Sequence, residues 1–160
     1  MRMRASLRTG FSFGLTSGVI TTLGLMVGLH AGTHSRNVVL GGILTIAVAD
    51  ALSDAMGIHL AEESKNSGPS IRVWESTAAT FVAKLGIALT FVVPVFLASL
   101  ETAVVLSILW GLLLLSLLSF LLAREQRIAP WKVIGEHLLI AICVVAVSHY
   151  LGDWVQGLKE

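Results

Sequence analysis

Residues 43–64 read ILTIAVADALSDAMGIHLAEES. The stretch belongs to an apolar run long enough for a membrane-crossing helix, which takes about 20 residues. Yet Asp50 and Asp54 sit inside it, one helical turn apart. A carboxylate near the bilayer centre costs about 2.5–3.5 kcal/mol on insertion scales. Two on one helix therefore point to a partner, a water-filled cavity or a cation, and the rest of the chain is read for what meets them.

Of the 160 residues, 55% are hydrophobic and only 13% charged, about half the charge of an ordinary soluble domain. Mean hydropathy is +0.84. The fold class that follows is an all-α integral membrane protein with five transmembrane helices. The spans fall at about 10–29, 38–62, 74–98, 102–123 and 131–155, in a single transmembrane domain over residues 1–160. The apolar run from Phe11 to Leu29 exceeds the about 7–15 residues of a signal-peptide core, so it reads as a retained first helix. A net charge of +1 gives no footing for nucleic acid, and membrane lipid is the expected surrounding partner. Cys143 is the lone cysteine, which excludes a disulfide framework.

Basic residues set the orientation. Arg2, Arg4, Arg8, Lys65, Arg72, Arg124, Arg127 and Lys132 fall on one side, and Arg36 and Lys159 on the other. This bias puts the N-terminus in the cytoplasm and the C-terminus outside or in a lumen. Trp74 and Trp131 at the cytoplasmic ends and Trp154 at the far end suit interfacial anchors.

At a rise of 1.5 Å per residue, the span ends place Asp54 about 12 Å and Asp50 about 18 Å below the cytoplasmic surface. Lys84 on the third span lies about 15 Å deep, Ser17 and Thr21 on the first about 10–16 Å, and Glu136 and His137 on the fifth about 8–9 Å. Four helices thus carry polar groups in one slab. The fourth contributes no ionisable group within its span and reads as peripheral and lipid-facing. Asp50, Ser53, Asp54, Gly57 and Ala61 share a helical stripe from which His59 points away; Thr77, Thr80, Lys84 and Ala88 form another. Charge at this depth belongs in the bundle interior or a watery cavity, so these stripes are expected to converge there.

Each residue also has a plainer reading. Lys84 serves equally well as the structural counter-ion of Asp50 or Asp54. Ser17 and Thr21 suit helix packing or bonding to their own backbone. Glu136 suits a first helical turn, and His137 an interface. Glu62, Glu63 and Glu75 lie at the wet rim, where Glu62 and Glu63 are candidates for a cytoplasmic entrance. His149 and Asp153, one turn apart, suit a local pair. Gly10, Gly14 and Gly18 make a small-residue face for close helix packing, expected to serve a homodimer. Asp50, Asp54 and Glu136 set against Lys84 leave two negative charges, a balance suited to a divalent cation or two protons.

The chain resembles the vacuolar iron transporter family. Its "GLTSGVITTLGLMVG" (residues 14–28) is similar to the family's first-helix pattern G-L-N-D-G-L-V-T-T-L-A-L-V-x-G. Its "ADALSDAMGIHLA" (residues 49–61) resembles A-G-A-x-S-M-A-x-G-E-Y-L-S in the second helix, and Ala78, Ala79 and Pro94 are similar to features of the third. The resemblance implies five spans, a cytoplasmic N-terminus, a homodimer and transport of a divalent metal. The departures lie at the chemistry. Ser17 stands at the family's first-helix aspartate, Asp54 at its second-helix methionine and Ile58 at its second-helix glutamate, while Asp50 replaces a small residue. The short link after the second span leaves no room for the glutamate-rich cytoplasmic domain of the plant-type members. Carboxylate and imidazole donors in place of thioether suit Fe²⁺ or Mn²⁺ over softer metals.

The function expected is therefore transport of a divalent metal, Fe²⁺ or Mn²⁺, out of the cytosol in exchange for protons. Asp50, Asp54, Glu136 and His137 are the candidate metal ligands, and Ser17, Thr21, Ser53 and Lys84 line the path. No permanently bound cofactor is expected; the metal is substrate. The location expected is a cell membrane in a prokaryote or a vacuolar-type membrane in a eukaryote. The competing expectation is a non-transporting membrane assembly protein with a buried ion-pair network. An intramembrane enzyme is disfavoured, because HExxH, a Ser/His pair at suitable depth and aspartates on two helices are all missing.

Overall fold

A computed structural model describes residues 4–65 and 70–158. Arg2 and Lys159, which entered the charge count, lie outside the described residues. The helices are α1 (Ala5–Thr33), α2 (Arg36–Ser64), α3 (Ser70–Thr90), α4 (Val92–Leu97), α5 (Leu100–Gln126) and α6 (Pro130–Gly157). α3 and α4 together make one span, Ser70–Leu97, so five helical segments are long and apolar enough to cross a membrane. The chain is an integral, multi-pass, all-α membrane protein. The helices outrun the expected spans at most ends because helical hydrogen bonding continues through the headgroup region after hydropathy falls.

The third span breaks where its sequence requires it. Pro94 has no N–H to give the carbonyl of Thr90, and the preceding turn tightens, with Phe91 N–H bonding Ala88 O at 3.1 Å. Arg36, at the start of α2, bonds Val95 O at 2.8 Å and Ala98 O at 2.6 Å, caring for carbonyls at the end of α4 that lack helical partners. This explains a basic residue on the side that the charge rule leaves poor in them. At the other end of the bundle, α5 closes with Arg127 in a left-handed conformation (φ 58°), and Ile128 N–H reaches back to Ala123 O at 3.1 Å.

α1 is the hub of the bundle and packs against α2, α3, α5 and α6. Its glycine face does not stay free for a second copy: Gly10, Gly14 and Gly18 lie against Ser76, Thr80, Lys84 and Ile87 of α3. A Cβ built on Gly14 would stand 2.6 Å from Thr80 O, so only glycine permits this approach. Hydroxyls fasten the same seam, Ser76 Oγ donating to Ser6 O at 3.0 Å and Thr80 Oγ1 lying 3.3 Å from Gly10 O.

The fourth span faces lipid through Leu109, Leu113, Leu117 and Leu121, as expected, but it is not the most peripheral one. α5 turns Ala103, Ser107, Gly111, Leu115, Ser119 and Ala123 inward, all small but Leu115, and Gly111 meets Val19 and Leu23 of α1. The fifth span, α6, is the least enclosed, with Val133, Ala141 and Gly152 as its buried positions. Absence of ionisable groups was a poor guide to lateral position, because lipid and protein interior are equally apolar. Large apolar side chains face outward, as lipid requires. On α2 they are Leu44, Val48, Leu52, Met56 and Leu60, one per turn, on a face offset from the buried Ala47, Ala51 and Ala55.

Candidate functional site

Lys84 is the largest fully buried side chain described, 1% exposed. α3 brings it to the point where α1 and α2 meet. Its ammonium contacts the carboxylates of both Asp50, at 2.6 Å, and Asp54. It also donates to Ser17 Oγ at 2.9 Å, and Ser17 donates in turn to Asp54 Oδ2 at 2.7 Å. Three helices thus place one cation, two anions and one hydroxyl in direct contact, in the slab that helical rise indicated.

The two carboxylates are held differently. Asp54 Oδ2 accepts hydrogen bonds from both Lys84 and Ser17. Asp50 Oδ2 is buried beside the ammonium but has no hydrogen bond of acceptable geometry, so its contact is one of charge alone. Both aspartates are partly exposed at the side chain while Lys84 is not. The carboxylates are therefore the face that an incoming group meets, with the ammonium behind them. Two negative charges and one positive leave the cluster with one uncompensated negative charge when all three groups are ionised. In a low-dielectric interior such a charge attracts cations strongly.

The remaining expected residues are elsewhere. Thr21 bonds its own backbone, donating to Ser17 O at 2.9 Å. Ser53 is exposed, as are Gly57 and Ala61, so the α2 stripe turns inward only at its aspartates. Glu136 is exposed on α6, which packs on α1 and α5. His137 lies beside α5 and lines a cavity of about 200 Å³ with Arg8, Thr16 and Glu125 among its walls. α1 separates that cavity from Lys84: Thr16 faces the one and its neighbour Ser17 the other. Glu136 and His137 thus share the depth of the aspartates without sharing their side of α1. Among the described residues no three His, Cys, Asp or Glu side chains gather in a metal-binding arrangement.

Hydroxyls meet two imidazoles. Ser119 Oγ lies 2.5 Å from Leu115 O and 2.7 Å from His137 Nδ1, and when it gives its single proton to the carbonyl it accepts one from the imidazole. His59 repeats the pattern: Thr77 Oγ1 lies 2.8 Å from Val73 O and 3.0 Å from His59 Nδ1. His59 points away from the aspartate stripe, as expected, and toward α3. It sits on the α2–α3 seam, between Lys84 and the α2–α3 link, with its ring edge-on to Trp74 at 4.7 Å. An α2 face wide enough to meet both α1 and α3 exceeds the narrow stripe drawn through Asp50 and Asp54. Nearby, Glu62 pairs with Lys65 at 3.0 Å and Glu63 is exposed. At the opposite end His149 Nε2 and Asp153 Oδ2 stand 3.4 Å apart, the local pair their spacing suggested.

No known protein family matches the chain, and no curated protein or solved structure shows significant similarity to it. The likeness to vacuolar iron transporters therefore rests on the small-residue patterns of its first three spans.

Proposed function

We propose that the protein carries a small cation across the membrane, with Asp50 and Asp54 as the binding carboxylates and Lys84 as a resident competitor. One observation carries this reading: the fully buried Lys84 amine held between two carboxylates, inside helices long and apolar enough to cross a membrane. An arriving divalent ion meets the partly exposed carboxylates first. It displaces the Lys84 ammonium, which retreats along its flexible stem, and the ammonium's return expels the ion. Oxygen donors from aspartate, with Ser17 alongside, favour hard to borderline divalent ions, so Fe²⁺ and Mn²⁺ remain the substrate class of choice. Export from the cytosol in exchange for protons, and assembly as a homodimer, are the further elements that the family resemblance suggests.

A second reading has its own support. Lys84 is fully paired and, among the described residues, no third acidic or imidazole ligand joins the aspartates, as suits a structural ion-pair network in a non-transporting assembly protein. Uptake of Fe²⁺, Mn²⁺, Co²⁺ and Zn²⁺ into proteoliposomes, with and without a pH gradient, decides between them. The transport reading expects saturable uptake of at least one ion that is lost in Asp54→Asn. No uptake of any ion by folded wild-type protein would overturn it.

A further inference from the structure

We infer that His59 and Glu63, one turn apart at the cytoplasmic end of α2, form a labile binding site for a divalent transition-metal ion. The inference is independent of whether the Lys84 cluster transports anything.

His59 is prepared for such a role by its neighbours. Thr77 Oγ1 lies between Val73 O and His59 Nδ1; with its proton given to Val73 O, the imidazole hydrogen resides on Nδ1 and the lone pair is left on Nε2 for a metal. Metal-bound histidines are held in the same way, the second ring nitrogen donating to an oxygen that fixes tautomer and orientation. The edge of Trp74 against the imidazole restrains the ring further. Nε2 has no hydrogen-bond partner among the described residues and is not among the buried unpartnered atoms, so it is open to an incoming ligand.

Glu63 supplies the second donor. Positions i and i+4 of a helix face the same way, with Cβ atoms about 5–6 Å apart, within the reach of an imidazole and a carboxylate closing on one ion. Glu63 is exposed, whereas its neighbour Glu62 is engaged by Lys65. Binding consists of donation from Nε2 and one carboxylate oxygen to the metal, with Nδ1–H still bonded to Thr77 and water filling the other positions. Imidazole with carboxylate suits Co²⁺, Ni²⁺ and Zn²⁺. Two protein donors on one helix make a site that loads and unloads readily. It lies on the same helix as Asp54, nearer the cytoplasmic end.

The Trp74 contact provides the readout. Titrating detergent-solubilised protein with Ni²⁺ or Co²⁺ should quench tryptophan fluorescence saturably, and the saturable part should vanish in Trp74→Phe. His59→Ala and Glu63→Gln should each weaken it by about tenfold or more, and Thr77→Val, which frees the Nδ1 hydrogen, by about tenfold. Asp54→Asn should leave it unchanged. Unaltered quenching in folded His59→Ala or Glu63→Gln would overturn the site, as would its loss in Asp54→Asn, which would place the ion at the deeper cluster. Should His59→Ala fail to fold, the exposed Glu63→Gln decides alone.

Discussion

Lys84 of α3 and Asp54 of α2 are joined both directly and through Ser17 of α1, which accepts from the ammonium and donates to the carboxylate. The pair therefore ties three spans together. Removing one member of a buried ion pair costs about 3–5 kcal/mol, because the remaining charge is stranded. Lys84→Met strands two carboxylates and should lower thermal stability on that scale. If the cluster carries a cation, the same variant should bind that cation more tightly and release it more slowly. Destabilisation with no change in cation affinity would favour the structural network.

The seam that delivers Lys84 to this site is testable through its glycines. A side chain at Gly14 collides with Thr80 O and with Ala83 Cβ, at 2.6 and 3.1 Å from the first added carbon. Gly14→Leu should force α1 and α3 apart, costing several kcal/mol, with loss of the folded protein as the readout. Gly57→Ala, where an added Cβ meets nothing within 4 Å, should be neutral in the same melting assay.

The difference between what was and was not legible in the sequence has one physical origin. Hydropathy and helical rise report depth, and depth placed Ser17, Asp50, Asp54 and Lys84 at a common level, where the structure joins them. Depth says nothing about lateral order, because nothing in an apolar run distinguishes a lipid neighbour from a helix neighbour. Glu136 and His137 have a similar depth but stand across α1 from the aspartates. The glycine face was visible, yet its partner, α3, was not. The His59 contact needed knowledge of which helix lay beside α2. The one lateral clue left unused was the small residues Ala103, Ser107, Gly111, Ser119 and Ala123, every fourth position of the fourth span but Leu115, which marked its face toward α1.

Arg36 gives a prediction about the far end of the bundle. Its two nitrogens hold the carbonyls of Val95 and Ala98, where α4 ends. Hydrogen bonds to a charged group are worth about 1.5–3 kcal/mol. Arg36→Ala should lower stability by about that amount and loosen α4, seen as faster amide exchange near Ala98. Arg36→Lys should rescue part of the loss, since one ammonium lacks the planar fork that engages both carbonyls.

Orientation can be checked on a background in which Cys143, the sole and exposed cysteine, is replaced by serine. Ile128→Cys, in the basic turn between α5 and α6, should react with an impermeant thiol reagent from the cytoplasmic side only. His34→Cys, between α1 and α2, should react from the opposite side only. The reverse pattern would invert the protein and place the His59 end away from the cytosol.

The two aspartates offer the sharpest separation of transport from architecture. Asp54 accepts hydrogen bonds from Lys84 and Ser17, whereas Asp50 has only its charge contact with the ammonium. Asp54→Asn leaves Lys84 facing the poorly bonded Asp50 and should cost about 1.5–3 kcal/mol, the worth of hydrogen bonds to a charged group. Asp50→Asn leaves a neutral, fully bonded Lys84–Asp54–Ser17 unit and removes the uncompensated charge, so stability should hold or rise. If that spare negative charge is what draws a cation in, Asp50→Asn should be stable and silent in proteoliposome uptake. A structural network instead expects Asp50→Asn to be harmless in every assay. Uptake at the wild-type rate by Asp50→Asn would therefore remove Asp50 from any transport site and with it the charge argument for a divalent ion.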